Sequence, residues 1–261
     1  MAQLRHTRTV ALAGGGAMPM VGLGTWQLRG QRGYEAIRYA LEVGYRHIDT
    51  ATMYGNEADV GRALRDSGVD RREVFVTTKL PPGNAGRERE TLDASLRALG
   101  TGYVDLWLVH WPPRSTAALG TWQAFLAARE QGLARAVGVS NYRVDQIDGL
   151  IAGTGQAPAV NQVPFSPTRF DARLLAGHSG RRVVVEGYSP LKDTDLGSPV
   201  LAGIASRHRV TPAQVVLRWH VERGIPVIPK SADPQRIAAN LDVFGFSLDA
   251  DEVAAVDRMR G

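Results

Sequence analysis

Short apolar runs alternate with helical patterns along most of the chain. The extended runs fall at Met20–Gly24, Tyr45–Thr50, Val74–Lys79, Val104–His110, Ala134–Ser140, Ala159–Phe165, Val183–Tyr188 and Pro226–Pro229, which predicts eight strands. Between them apolar positions recur at helical spacing: Tyr34, Ile37 and Leu41, then Leu92, Leu96 and Leu99, then Leu119, Trp122 and Leu126. Helix starts are marked by Thr211-Pro212 and Asp233-Pro234, each a capping residue before a proline at the first helical position. Asp249 followed by Glu252 reads as a capping box. Near the start, Thr9–Ala13 and Ala17–Pro19 flank Gly14, Gly15 and Gly16, which predicts a short hairpin, because glycine enters positive φ without strain.

Strand, helix and strand in repetition imply parallel pairing through crossover helices. Eight such units close most simply into a barrel, with an open doubly wound sheet as the alternative. The polar residues favour the barrel. Asp49, Lys79, His110, Ser140, Gln162, Tyr188 and Lys230 lie at or near the C-terminal ends of different predicted strands, and barrel enzymes build their sites there from several strand ends. An open sheet gathers its site at one switch point. Two glycine-rich starts, at Gly14 and Gly22, fail as dinucleotide fingerprints: the third glycine position holds Pro19 or Gln27. The expected fold is therefore α/β, a (β/α)8 TIM barrel with a short N-terminal β-hairpin, forming one domain over residues 1–261. A chain of 261 residues suits one barrel of about 250.

Composition narrows the function class. With 44% hydrophobic and 22% charged residues the chain is neither disordered nor fibrous. It has no cysteine, so disulfides, thiolate metal sites and cysteine nucleophiles are excluded; the expected location is the reducing cytoplasm. The apolar run Val10–Ala13 is shorter than the roughly 7–15 residues of a secretory core, and no run approaches the ~20 needed to span a membrane. The net charge of +5 is spread among acids without a basic run, so no nucleic-acid partner is expected. A small-molecule ligand and a monomer are the expected partner and state.

Chemistry concentrates in G-Y-R-H-I-D-T-A-T-M-Y-G-N-E, from Gly44 to Glu57. Taken singly, Tyr54 reads as a half-buried tyrosine, Lys79 as a snorkelling lysine and His110 as a structural histidine. Together with Asp49 at one rim they suit carbonyl reduction, in which a proton must reach a developing alkoxide. A free tyrosine titrates near 10, and a neighbouring ammonium is expected to lower that value. Asp49 would hold Lys79 in place and charged, and His110 would orient the carbonyl oxygen. His47 shares the parity of Asp49 and should point into the barrel one layer deeper. His178, His208 and His220 make no metal spacing. Trp107 and Trp122 should be packing residues, whereas Trp26 and Trp111 adjoin functional strand ends and should line the substrate pocket.

Several longer motifs point one way: G-L-G-T-W at Gly22–Trp26, G-Y-R-H-I-D-T-A at Gly44–Ala51, V-H-W-P at Val109–Pro112, G-V-S-N at Gly138–Asn141, N-Q at Asn161–Gln162, Y-S-P-L at Tyr188–Leu191 and I-P-K-S at Ile228–Ser231. With them the chain resembles the aldo-keto reductase family, in its 2,5-diketo-gluconate reductase-like and prostaglandin F synthase-like branch. The resemblance implies a catalytic tetrad at Asp49, Tyr54, Lys79 and His110, with Tyr54 as proton donor. It implies NADPH as cofactor, with Ser140, Asn141 and Gln162 at the nicotinamide carboxamide and Tyr188 stacked on the ring. Gly24, Thr25, Trp26, Ser189, Pro190 and Leu191 would line the cofactor. Lys230, Ser231, Arg236 and Asn240 would meet the adenosine end, where two cations and a hydroxyl suit a 2′-phosphate and favour NADPH over NADH. Trp26, Tyr54, His110 and Trp111 would contact a carbonyl substrate, and no metal is implied.

The chain departs from the family pattern in two places. After Asn161-Gln162 the family often shows an acid and then a histidine, where this chain has V-P-F-S-P with Pro164 and Ser166. Many relatives carry a longer tail after the last helix, so an open, permissive pocket is expected, unless the loops at Pro81–Arg87 and Pro112–Thr116 close it. Two other functions stay open on the residues alone. One is a barrel aldolase or lyase using Lys79 as a Schiff-base nucleophile, which would not need Tyr188 or I-P-K-S. The other is a non-catalytic NADPH-binding sensor or subunit, which would not need the full tetrad.

Overall fold

Three glycines turn the chain back on itself near the start of the described residues. In the computed structural model, which describes residues 8–113 and 117–259, Gly14, Gly15 and Gly16 all take positive φ, at 93°, 106° and 89°. They join strand β1 (Thr9–Ala11) to β2 (Ala17–Pro19) as an antiparallel hairpin with Thr9 opposite Pro19. Leu12 and Met18 are buried with Leu106, Leu108, Ala136 and Val160. The hairpin therefore plugs the end of the barrel away from the polar rim, through contacts that exclude water from its floor.

Seven parallel strands follow in chain order, each bonded to the next: β3 (Leu23–Gly24), β4 (His47–Asp49), β5 (Phe75–Leu80), β6 (Val104–Val109), β7 (Ala134–Ser140), β8 (Val160–Pro164) and β9 (Val184–Tyr188). The predicted eighth strand, Pro226–Pro229, is reduced to two parallel bridges, in which Val227 pairs with both Val21 and Gly187. Prolines at 226 and 229 have no N–H to extend a ladder. Closure is nonetheless complete. On one side Val227 donates to Met20 O and Gly22 donates to Val227 O, both at 2.9 Å; on the other Gly187 donates to Pro226 O at 2.8 Å. Gly24 sits where the two edges meet, and an added Cβ there would lie 2.8 Å from Ile228 O, so only glycine fits.

Helices α1 (Gly30–Glu42), α2 (Glu57–Asp66), α3 (Glu88–Leu99), α4 (Ala117–Glu130), α5 (Val144–Thr154), α6 (Ala172–Ser179), α7 (Pro199–His208), α8 (Pro212–Glu222), α9 (Pro234–Leu241) and α10 (Ala250–Asp257) complete the described elements. The predicted faces hold for α1 and α3, which bury Ile37, Leu41, Leu92, Leu96 and Leu99. In α4 Trp122 and Leu126 are buried, but Leu119 in the first turn stays 37% exposed. Thr211, Asp233 and Asp249 each cap their helix through a side-chain oxygen, and Thr211 and Asp249 complete capping boxes with Gln214 and Glu252. Of the two loops named as possible closures, Pro81–Arg87 contains a short 3-10 turn, and residues 114–116 of the other lie outside the described part. No helix among the described residues is long and apolar enough to cross a membrane. A groove of about 1270 Å³ lies at the hairpin end, lined in part by Arg129, Arg181, Arg182 and Arg223, and includes none of the predicted site residues.

Candidate active site

Asp49 ends β4, and Lys79 stands near the end of β5 beside it. The Lys79 ammonium donates to Asp49 Oδ1 at 2.6 Å and to the Thr50 carbonyl at 2.8 Å. Lys79 is fully buried, and burial alone would favour the neutral amine. Asp49 chiefly, with Tyr54 and Glu186, outweighs that and raises its pKa, so the group stays an ammonium at neutral pH. A charged, paired lysine is poorly suited to attack a carbonyl as a neutral amine, which weakens the Schiff-base alternative.

Tyr54 closes a 3-10 turn, Thr52–Tyr54, that Gly55 ends at a φ of 64°. The turn is tied down at several points. Thr52 donates its hydroxyl to Lys79 O at 2.9 Å, and Arg29 donates to Tyr54 O at 2.6 Å. The buried Asn56 amide donates to Thr25 O and Leu28 O, at 2.9 and 2.7 Å, and accepts from the Thr50 hydroxyl at 2.7 Å. Asn56 thus joins the loops after β3 and β4, a role its place inside the quoted motif did not reveal. The Tyr54 ring lies with its centroid 5.1 Å from Lys79 Nζ, 5.7 Å from the His110 ring and 5.0 Å from the Trp26 ring. The four predicted catalytic residues and one predicted pocket tryptophan are therefore brought together. Trp26 and Trp111 remain about half exposed, at 49% and 47%.

The Lys79 ammonium does act to lower the Tyr54 pKa, as its position predicts, but it is not the largest influence. Burial of the phenol outweighs the nearby ammonium, and the net shift is upward, so the hydroxyl keeps its proton at neutral pH. His110 is pushed down to about 3 by burial, with the Lys79 charge adding to the effect. It is a neutral imidazole. Its Nδ1 has no hydrogen-bond partner among the described residues.

His47 is fully buried one layer below Asp49, as its parity predicted. Burial also lowers His47 and His220 to about 4. With His110 they are neutral in the folded chain, while unfolded histidines protonate near 6.5. Their contribution to stability is fully present above about pH 6.5 and lost as pH falls towards 4. Unfolding near pH 5 should take up roughly three protons at these sites. Glu186 opposes this trend. Burial and Asp49 raise its pKa to about 8, so its contribution is present below the ordinary carboxylate pKa and lost as pH rises through 8. Urea midpoints measured from pH 4 to 7 should rise with pH; a flat or falling series would contradict the histidine assignment.

The residues predicted for the nicotinamide end form one bonded cluster across β6 to β9. Ser140 donates to Gln162 O at 2.8 Å, the Asn141 amide donates to His110 O at 3.1 Å, and Tyr188 donates its hydroxyl to Asn141 Oδ1 at 2.9 Å. Asn141, Ser189 and Gln27, none of them glycine, take φ values of 63°, 53° and 63° at this rim. Strained backbone of this kind concentrates at functional sites. Pro190 is buried, and Leu191 is partly buried against the core. At the adenosine end, Lys230 follows the closing segment beside Gly24, and Arg236 and Asn240 lie on α9. Tyr45 anchors that helix by donating to Ile237 O at 3.0 Å. Ser231 accepts from Asp233 N at 3.0 Å. The side chains of Lys230 and Arg236 are exposed and have no acidic partner among the described residues. No group of three His, Asp or Glu among the described residues is placed to hold a metal ion.

One site residue was missed altogether. Glu186, fully buried in β9, lies under the cluster and accepts from Gln162. A single acid two positions before Tyr188 in an apolar strand was the available signal, since i and i+2 share a face.

Comparison with known proteins identifies the family. The model of the Aldo/keto reductase family matches residues 20–198 and 196–260. Methylglyoxal reductase DkgA of Escherichia coli strain K12 is 40% identical over 260 residues, covering 98% of this chain and 94% of that protein. A crystal structure of an aldo/keto reductase from Brucella melitensis superposes with a TM-score of 0.94 at 40% identity, covering 97% of this chain and 98% of that one. Aldo-keto reductase of Bombyx mori in complex with NADP superposes with a TM-score of 0.91 at 34% identity, covering 97% and 93%. With a family model matched along nearly the whole sequence and a relative of 40% identity over almost its full length, the chain belongs to the aldo/keto reductase family of oxidoreductases.

Proposed function

We propose that the chain reduces aldehydes or ketones to alcohols with hydride from NADPH, and that Tyr54 delivers the proton. The observation that carries this reading is the buried Lys79–Asp49 pair set against the Tyr54 ring, with His110 and Trp26 around it. Tyr54 stays protonated until an alkoxide develops, then gives up its hydroxyl proton. The Lys79 ammonium stabilises the phenolate left behind, and Asp49 keeps that ammonium charged and in place. His110, neutral, can donate one ring N–H to the carbonyl oxygen and so orient it without competing as an acid.

The residues fit the cofactor. Two exposed cations, Lys230 and Arg236, and the hydroxyl of Ser231 are the groups offered to the 2′-phosphate, and the Ser140, Asn141, Gln162 and Tyr188 cluster offers polar atoms beside the tetrad. NADPH, when bound, supplies the hydride; Tyr188 would stack on its ring and so help hold it. Gly24, Thr25, Ser189, Pro190, Leu191 and Asn240 complete the wall. Trp26 and Trp111 give the substrate apolar flanks, which favours aromatic aldehydes over small polar carbonyls by buried area, while activated dicarbonyls are reduced for their reactivity rather than their fit. The E. coli relative's name places a dicarbonyl reductase among the similar proteins. One chain contributes all four tetrad residues, which suits a monomer, and a cysteine-free NADPH-dependent chain suits the cytoplasm. Loss of NADPH absorbance matched by alcohol formation across a panel of such carbonyls tests the reading; no consumption with any of them rejects it.

Cofactor choice gives a separate prediction. Arg236→Ala should weaken NADPH binding by about 1.5–3 kcal/mol, the scale of a charge-assisted contact, and leave NADH nearly untouched. Tryptophan fluorescence titration with both cofactors checks this, and equal losses would reject the 2′-phosphate assignment.

A further inference from the structure

Glu186 plays no part in proton delivery, yet it lies fully buried between the catalytic pair and the cofactor cluster. It stands in β9 on the face shared with Tyr188. Its Oε2 accepts from Gln162 Nε2 at 2.8 Å, and the same nitrogen donates to Asp49 Oδ2, also at 2.8 Å. Gln162 therefore reaches across the barrel from β8 to β4, and both its N–H groups are engaged by carboxyl groups. An amide in that position has one workable orientation. Turning its oxygen inward would set its lone pairs against those of the Asp49 carboxylate, which is paired with Lys79 and has no proton to donate. The outcome is an amide whose Oε1 accepts no hydrogen bond among the described residues.

We propose that Glu186 is a positioning residue: with Asp49 it locks the Gln162 amide so that Oε1 is presented to the carboxamide N–H of nicotinamide. The inference rests on the NADPH reading given above. The tie does not depend on the charge of Glu186. Oε2 accepts in either state, and a proton on the acid goes to Oε1, which has no hydrogen-bond partner and faces His47 Nε2 at 3.6 Å. The other ionisable groups within electrostatic reach of Glu186 are Asp49 and Lys79, already paired with each other, and the Tyr54 phenol. Asp49 thus serves two tasks. One oxygen holds the Lys79 ammonium and the other holds Gln162, so the proton-delivery pair and the cofactor seat share a single carboxylate.

The test compares two ligands by fluorescence or calorimetric titration: NADPH, and 2′-phospho-ADP-ribose, which keeps the adenosine end and lacks nicotinamide. Glu186→Met fills the space without an acceptor and should weaken NADPH binding about tenfold, the scale of one lost hydrogen bond, while 2′-phospho-ADP-ribose binds as before. Glu186→Gln keeps an acceptor and should restore NADPH binding to within about threefold of the parent. Should Glu186→Met not fold, Glu186→Asp withdraws the carboxyl by one carbon, keeps its acidic group and should show the same selective loss. In a Gln162→Met background, Glu186→Met should add no further loss for NADPH. Unchanged NADPH binding in a folded Met or Asp variant, or equal losses for both ligands, overturns the positioning role. A parent chain that binds neither ligand overturns the cofactor reading and this inference together, whereas a parent that binds NADPH with insensitive variants overturns this inference alone.

Discussion

Tyr54→Phe is expected to lower kcat by about a hundredfold or more, with NADPH binding nearly intact, since general acid catalysis contributes on that scale. The substitution removes one oxygen and keeps the ring, so the edge-on contacts with Trp26 and His110, at 5.0 and 5.7 Å, survive. Burial already holds the phenol in its protonated form. Removing the hydroxyl therefore takes away a proton source and no fixed charge, and the fold should tolerate it. Steady-state kinetics with an aromatic aldehyde, together with a cofactor titration, separate the two effects. A large loss of cofactor affinity, or near-parent turnover, would move the proton-donor role elsewhere.

Lys79→Met should produce the larger structural effect. The ammonium is fully buried, 2.6 Å from Asp49, and its removal leaves a buried carboxylate with only Gln162 as donor. Breaking a buried ion pair from one side destabilises by about 3–5 kcal/mol, because the remaining charge has no compensation. Turnover should fall at least as far as in Tyr54→Phe, since the phenolate loses its stabilising cation. Adding Asp49→Leu in the same chain should recover part of the stability, as apolar replacement of both partners often does, and should recover none of the activity. Urea midpoints and kcat on the three variants give the cycle. A Lys79→Met protein as stable as the parent would mean that the pair is solvated in solution.

Much of this site was legible because its chemistry lies at strand ends. Apolar runs marked the strands, and a polar residue closing each run marked the rim, so Asp49, Lys79, His110, Ser140, Gln162 and Tyr188 could be placed at one mouth without coordinates. The eighth strand was legible in position but not in extent: Pro226 and Pro229 cut its ladder to the two bridges at Val227. Leu119 fitted a helical stripe that burial does not reach, because periodicity assigns a face and not how far along the helix that face is covered. The net direction of the Tyr54 pKa was not legible, for a related reason. Sequence showed the cation that lowers it, while the stronger opposing effect, burial, depends on how the 3-10 turn seats the ring. Asn56 and Glu186 act through partners distant in sequence. Asn56 bonds to Thr25 and Leu28, and Glu186 to Gln162, and spacing along the chain carries no sign of either.

The central claim joins hydride from NADPH to a proton from Tyr54. A single-turnover experiment addresses both at once: the protein in excess over NADPH is mixed with an aromatic aldehyde, and NADPH absorbance and alcohol product are followed together. The expected result is one alcohol formed per NADPH oxidised, at a rate that falls about a hundredfold or more in Tyr54→Phe while the stoichiometry holds. Alcohol formation at the parent rate in Tyr54→Phe, or no NADPH oxidation by the parent with any carbonyl of the panel, would contradict it.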